Sequence, residues 1–311
     1  MNQYNPVPNG ETGVALITSL LLLSVITLLV LALTTRQQLD IQRNTHLAHV
    51  EQAHWYALSA ENWARRVLNS DDQAVDSLND NWAVSVAPLA IEQGLVAGSI
   101  SDLQGRFNIN NLLQNGKIHP LSRARFQRLL SRLTIDDAFI PALIDWLDPD
   151  STEIAGGAED RYYNTLQPPY RAANQLMSDI SELRLVRGVN HDIYAKLLPF
   201  ITALPVPTEI NVNTAPAAIL QTLADDNDLD VESVIRHREQ QAFQTVNDLK
   251  PYLKEAGADD QSALDGLGVS SRYFLVTTDV SLGVARQRHQ TLLRRDNQGT
   301  VSLTRSPVYS P

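Results

Sequence analysis

Between Asp136 and Asp160 the chain carries eight acidic residues and no lysine or arginine. Asp145, Asp148, Asp150 and Glu153 come first, and Glu159 and Asp160 follow the pair Gly156–Gly157. Carboxylates this dense repel one another unless water or a cation screens them. Calcium suits such a stretch: it takes about 6–8 oxygens, which a flexible loop with alternating aspartates and a later glutamate can supply. The stretch is not an EF-hand, because the ~12-residue ligand spacing and the glycine at its centre are missing. Two other readings use the same residues. A solvated acidic loop needs no ion, and a carboxylate pair could serve a hydrolase as acid and base. No histidine or nucleophile motif accompanies the cluster, so no enzymatic activity is expected.

The elements that would position this loop are helical. Apolar spacing predicts helices over Leu121–Leu133, Asp136–Leu147, Ile180–Val186, Asp192–Phe200, Ala215–Leu223, Val231–Gln240 and Val246–Leu253. Strand-like runs lie on either side: Trp82–Val86, Leu95–Ile100 and Arg106–Ile109 before the helices, Phe274–Leu282 and Ala285–Leu293 after them. Strands that flank a helical block predict an α+β chain, one small sheet domain hosting an inserted helical domain. The boundaries expected are 37–111 and 271–295 for the host and 112–270 for the insertion, with a polar, mobile tail over 296–311.

Ahead of all this stands an uncharged segment from Val14 to Leu33, preceded by a leader without lysine or arginine and followed by Arg36. As a helix it spans roughly 30 Å, the thickness of a bilayer core. It is too long for the apolar part of a secretory signal, and Leu31-Ala32-Leu33 is a poor cleavage site. A membrane helix over 14–36 is the reading taken. Leu39, Ile41, Leu47, Val50, Ala53, Tyr56, Ala57, Ala60, Ala64 and Val67 continue at helical spacing, and no proline or glycine interrupts residues 14 to 69. A helix of about 55 residues, about 80 Å long, exceeds what a span requires and needs a domain on which its second half can pack.

Composition narrows the partners. The net charge is −10, and no window is dominated by lysine or arginine, which argues against a nucleic-acid backbone as partner. With no cysteine, disulfides and thiolate metal sites are excluded. Two stretches, SELRLVRGVNHDIYAKLLPFI and INVNTAPAAILQTL with the helix after it, look like helix-hairpin-helix units. The second hairpin, Ala224 to Asp230, has four aspartates and no glycine, so it would repel a phosphate. Thr214 is expected to cap the helix that follows it, with Pro216 just inside. His46, His49 and His54 lie on the long helix without the i, i+4 face that zinc prefers. Trp55, Tyr56, Trp63 and Trp82 are expected to pack that helix onto the sheet.

A short leader ending in Gly13, an apolar Val14 after it and an unbroken helix leading into a second domain resemble the type IV pilin and type II secretion pseudopilin superfamily. GVALITSLLLLSVITLLVLAL with TTRQQLDIQRN, then QGRFNINNLL, LIDWLDPDS, GGAEDRYY, PPYRAANQLMSDISELRLVRGV and INVNTAPAAIL, resemble the K-type minor pseudopilins. The resemblance implies a pilin-like fold, cleavage of the leader 1–13 between Gly13 and Val14 by the prepilin peptidase, and methylation of Val14. It implies a bacterial inner-membrane protein with its C-terminal domain in the periplasm, at the tip of a pseudopilus that exports folded proteins. The implied partners are the I-type and J-type minor pseudopilins, the major pseudopilin and the inner-membrane secretion platform. The alternative is a membrane-anchored periplasmic binding or scaffold protein with no filament role. Most relatives in the superfamily carry a glutamate at the position of Thr18, whose carboxylate is neutralised in the bilayer by a neighbour's N-terminal amine. A threonine bonds its own helix carbonyls and demands no partner, which suits a subunit at a filament end. The same resemblance implies structural calcium, with Asp145, Asp148, Asp150, Glu159 and Asp160 at the motif positions and Asp148, Asp150 and Glu159 foremost.

Overall fold

With no proline or glycine between residues 14 and 69, the chain forms one 60-residue helix, α1 (Glu11–Ser70). The computed structural model describes residues 11–84, 87–224, 229–255 and 261–308. The first ten residues of the expected leader therefore lie outside the described residues, as do Asp225 to Asp228 of the second hairpin. Residues 14–48 of α1 are exposed on every side. Packing begins at a stripe of Ala53, Ala57, Glu61, Ala64 and Leu68, all buried at helical spacing. Leu39, Ile41 and Leu47 were expected to share that face and do not, because the sheet ends before it reaches them. Its last turn, at Gly283, lies against His49.

That sheet has five strands: β1 (Leu89–Ile91), β2 (Gly94–Asp102), β3 (Tyr273–Leu282), β4 (Ala285–Asp296) and β5 (Gly299–Val308). They lie in the order β1-β2-β3-β4-β5, every pair antiparallel. The two central neighbours, β2 and β3, pair from Gly94↔Leu282 to Asp102↔Phe274 although the whole helical block separates them in sequence. Alternation does the rest. Phe274, Val276, Thr278, Val280 and Leu282 are buried on one face of β3, and α1 covers that face. Val284, at the tip of the β3–β4 hairpin, is 85% exposed, and Gly283 before it adopts φ +53, which a glycine tolerates without cost.

Two sequence expectations fail here. The described part of the segment beyond Asp296 is not a mobile tail: Gly299–Val308 is the edge strand, paired with β4 from Asp296↔Gly299 to Arg288↔Val308. Its Ser302 and Arg305 side chains both reach Glu61 on α1, and Pro307 is tolerated because the strand is at the edge. The run at Trp82–Val86 is not a strand in its described part, Trp82 to Val84. Asp80 turns the chain there, accepting from Trp82 Nε1 at 3.2 Å through its side chain and from Ala83 N at 3.0 Å through its carbonyl. Trp82 spends its ring on burial against Phe274, edge-on at 5.2 Å. Trp63 and Tyr56 are partly buried as expected, whereas Trp55 is 61% exposed.

Between β2 and β3 runs the helical block: α2 (Pro120–Arg132), α3 (Ile140–Leu147), α4 (Asp160–Tyr163), α5 (His191–Leu197), α6 (Ala217–Leu220), α7 (Val231–Gln240) and α8 (Lys250–Glu255). Short 3-10 turns over Ile180–Leu185, Gln221–Leu223 and Val246–Leu249 replace parts of the expected helices. Its core is separate from the sheet's and includes Phe107, Phe126, Phe139, Leu143, Tyr163, Ile201, Val212 and Val234. Thr214 does not cap α6. Pro216 holds the cap position, and the Thr214 hydroxyl donates to Asp102 Oδ2 at 2.5 Å, since the partner across the domain junction is the stronger acceptor.

Candidate functional site: an acidic loop and a membrane-length helix

The acidic loop joins α3 to α4. Every residue of α3 except Pro141 is buried, and Asp145, within it, is 0% exposed. The helix stops at Asp148, whose ψ of 155° is the extended conformation imposed by Pro149 after it. The chain then returns through Gly156 and Gly157 to Glu159. The second glycine stands where a side chain has no room unless Asp145 shifts. A Cβ on Gly157 would stand 1.9 Å from Asp145 Oδ2. Arg187 fastens the return, donating from Nη1 to the Gly157 carbonyl at 2.9 Å.

The expected ligands separate into two groups. Glu159 is 3% exposed and neither of its carboxylate oxygens has a hydrogen-bond donor, and Asp148 Oδ1 is likewise buried without one. Asp145 is partly satisfied, accepting from Ile154 N at 3.3 Å. Asp150 is exposed and accepts from Thr152 N at 2.7 Å. Asp160 is engaged elsewhere: Oδ1 accepts from Ala172 N at 3.0 Å, and Oδ2 lies 3.8 Å from Arg171 Nε. Asn174 joins the loop unannounced by the sequence. Its Nδ2 donates to the Asp150 carbonyl at 2.7 Å, while its Oδ1 is buried without a donor.

Four buried oxygens without donors in one loop system, Asp148 Oδ1, both of Glu159 and Asn174 Oδ1, are what a protein ordinarily avoids. The electrostatics agree. Burial first, then the charges of Asp150 and Asp145, push the Asp148 carboxyl up to about 6. Burial, followed by Asp145, Asp148, Asp160 and Asp150, pushes Glu159 up to about 7. Asp145 is raised too, burial again leading. Acceptors without donors, all oxygen and all short of positive charge, match the chemistry of a hard divalent cation.

A second cluster sits at the junction of sheet and helical block. Asp71, Asp76 and Asp80 bring carboxylate oxygens within 4.8 Å of one another, closer than those of the acidic loop. Here a guanidinium already fills the role of cation. Arg295, whose side chain is 1% exposed, holds Asp76 at 2.5 Å and Asp71 at 3.4 Å and lies over the Phe274 ring at 4.8 Å. Asp102 beside it is buried, and burial raises its carboxyl despite donors from Ser271 at 2.6 Å, Thr214 at 2.5 Å, Gln104 N at 2.7 Å and Asn211 at 3.2 Å. Asn211 also donates to the Asp76 carbonyl at 3.1 Å. These bonds join the segment after α1, strands β2 and β4, the approach to β3 and the insertion, a positional role that no sequence spacing reveals.

The other functional element is the free half of α1. Val14 to Leu33 is wholly exposed, and its most apolar window has a mean hydropathy of 2.8. Its polar side chains are satisfied from within. Thr18 Oγ1 donates to the carbonyls of Val14 and Ala15, both at 3.0 Å, and Ser19, Ser24 and Thr27 bond back in the same manner. Such a helix can enter hydrocarbon with no unmet hydrogen bond on its side chains. The Gly13–Val14 bond lies within α1, in its first turn.

The family described as "Type II secretion system (T2SS), protein K" matches residues 105–206 and again 210–270. Type II secretion system protein K of Pseudomonas aeruginosa is 36% identical over 306 residues, covering 94% of this chain and 91% of that protein. The protein of that name from Aeromonas hydrophila is 34% identical over 324 residues, covering 96% and 98%. Among solved structures, the crystal structure of the GspK-GspI-GspJ complex from the enterotoxigenic Escherichia coli Type 2 Secretion System contains a similar chain. Its TM-score is 0.75 at 27% identity, and the match covers 86% of this chain and 100% of that one.

Proposed function

This chain belongs to the protein K family of type II secretion systems, a minor pseudopilin, and on that premise we propose that it caps the tip of the pseudopilus and helps start its assembly. The observation that carries the proposal is α1. It is a bare apolar rod whose one residue at the usual glutamate position, Thr18, closes its hydrogen bonds on its own backbone. A subunit above would find no carboxylate there to pair with its amine, so growth ends at this one. Below it, close packing of Val14 to Leu33 against neighbouring helices supplies the assembly energy.

The remaining assignments follow. The leader is cleaved after Gly13 by the prepilin peptidase, Val14 is methylated, and the chain crosses the inner membrane once with its C-terminal domain in the periplasm. I-type and J-type minor pseudopilins are its tip partners, which the complex named for the Escherichia coli relative supports, and the major pseudopilin and the inner-membrane platform lie beneath. The acidic loop holds calcium through Asp148 and Glu159, with Asp145, Asp150 and Asn174 as further oxygen donors. Asp160, committed to Ala172 and Arg171, stands behind them. Bound calcium supplies charge balance to the loop and nothing catalytic, and the chain acts as a structural subunit rather than an enzyme.

Mass spectrometry of the mature N-terminus separates this from a membrane-anchored periplasmic scaffold. A chain starting at methylated Val14 is expected, and an intact leader in secreting cells would overturn the filament role. Immunogold labelling of sheared pseudopili is expected to mark one end, whereas label along the shaft would refute the capping position.

A further inference from the structure

The α1 histidines share no metal-binding face among themselves, and the fold supplies the partner they lack. His289, on β4, meets His54 with ring centroids 5.8 Å apart and planes inclined at 55°. Both line a cavity of about 700 Å³ between α1 and the β3–β4 hairpin, together with His46 and Glu51. Glu51 stands three residues before His54, hence on the same side of the helix.

The chemistry of His289 is already set. Gln287 Oε1 lies 3.0 Å from its Nε2. A carboxamide oxygen only accepts, so Nε2 carries the proton and Nδ1 keeps its lone pair. This is how histidines that bind metals are oriented by an outer partner. The spacing also fits. Two imidazoles that share a zinc at about 2.0–2.1 Å have centroids about 5.2–5.8 Å apart for angles at the metal of about 110–130°.

We propose that His54 and His289 form a two-imidazole site for a borderline divalent transition metal, zinc by preference, that cross-braces the stalk of α1 to the β3–β4 hairpin. The site lies at the level of Ala53, where the packed stripe of α1 begins, so a metal there fixes the helix at the point where its support by the sheet runs out. Imidazole nitrogens select zinc, cobalt or nickel over calcium, and the all-oxygen loop selects the reverse, so the two sites are chemically distinct.

The test uses the untagged full-length chain in detergent, stripped by chelator, reloaded with excess Ca²⁺, and titrated with Co²⁺ while the visible absorption of nitrogen-coordinated cobalt is recorded. One equivalent is expected to bind and to be displaced by Zn²⁺. His54→Gln and His289→Gln should each weaken binding at least ~10-fold, as loss of a metal's immediate or supporting partner does, and His49→Gln should leave it unchanged. His54 is exposed on a helix, so its variant decides the matter even where His289→Gln does not fold. Absence of the cobalt spectrum, or equal affinity in the wild type and His54→Gln, would overturn the site.

Discussion

Replacing Glu61 by glutamine should cost this protein a large part of its stability, and only at pH values where the glutamate is charged. Glu61 interrupts the small-residue stripe of α1, 3% exposed, and is gripped by Arg65 on its own helix and by β5. Arg305 donates to its two oxygens at 2.7 and 2.8 Å, and the Ser302 hydroxyl adds a bond at 2.6 Å. Burial alone would push this carboxyl up. The bonds from Arg305 and Ser302 and the charges of Arg305 and Arg65 outweigh it and hold Glu61 at about 2, against an ordinary 4.5. That difference is worth about 3 kcal/mol at neutral pH, at about 1.4 kcal/mol per tenfold change in proton affinity. Since the folded value is the lower one, the stabilisation is complete above about pH 4.5 and is lost as the pH falls through about 2. At pH 3, about 1.4 kcal/mol should remain. Glutamine keeps the shape and loses the charge, leaving Arg305, 54% exposed, free to turn to water. Urea unfolding of the full chain in detergent, read by tryptophan fluorescence, measures the gap between wild type and Glu61→Gln at pH 7 and pH 3. A gap below about 1 kcal/mol at pH 7, or one that does not shrink at pH 3, would refute the account of β5 as a strand latched by charge.

Three further outcomes are expected. Chelation of calcium should lower the melting temperature of the chain, by an amount equivalent to about 2.7 kcal/mol when free calcium had stood at about 100 times Kd, and Glu159→Gln should abolish the shift. No shift, with no bound metal by elemental analysis, removes calcium from the acidic loop. Gly157→Ala places a Cβ against Asp145 Oδ2 and should destabilise the chain by about 1–3 kcal/mol in thermal melts, more with calcium than without. Arg295→Met leaves Asp76 buried without its cation and should cost about 3–5 kcal/mol in urea unfolding.

What could be read from the sequence was whatever depends on near neighbours along the chain. The period of α1, the alternation of β2, β3 and β4 and the span of α7 all follow from apolar spacing, and the structure has them within a few residues of where that spacing puts them. Trp82 alternates like a strand residue, yet Asp80 closes a turn on it, and the competing bond is side-chain chemistry that no period encodes. β5 reads as polar tail because the side chains that fasten it to α1, Ser302 and Arg305, are polar and meet Glu61 far upstream, although its backbone pairs with the adjacent β4. The acidic loop was visible as composition, but the partition of its carboxylates was not: Asp148 and Glu159 are orphaned, while Asp160 is taken by a backbone amide from Ala172. Asn174 carried no sequence signal beyond being a carboxamide near a turn, and the Arg295 junction gathers residues from five separate stretches.

The pairing of β2 with β3 across the insertion has a consequence for how the molecule comes into being. Delivered from its N-terminus, the chain presents the β1–β2 hairpin and must then emit the entire helical block before any residue of β3 exists to meet it. Local helical contacts form quickly and distant strand pairs slowly, so the guest consolidates before its host has a second half. The host is finished only by the final hairpins, and a ribosome that stops before Tyr273 leaves a sound helical body hung from a half-built frame.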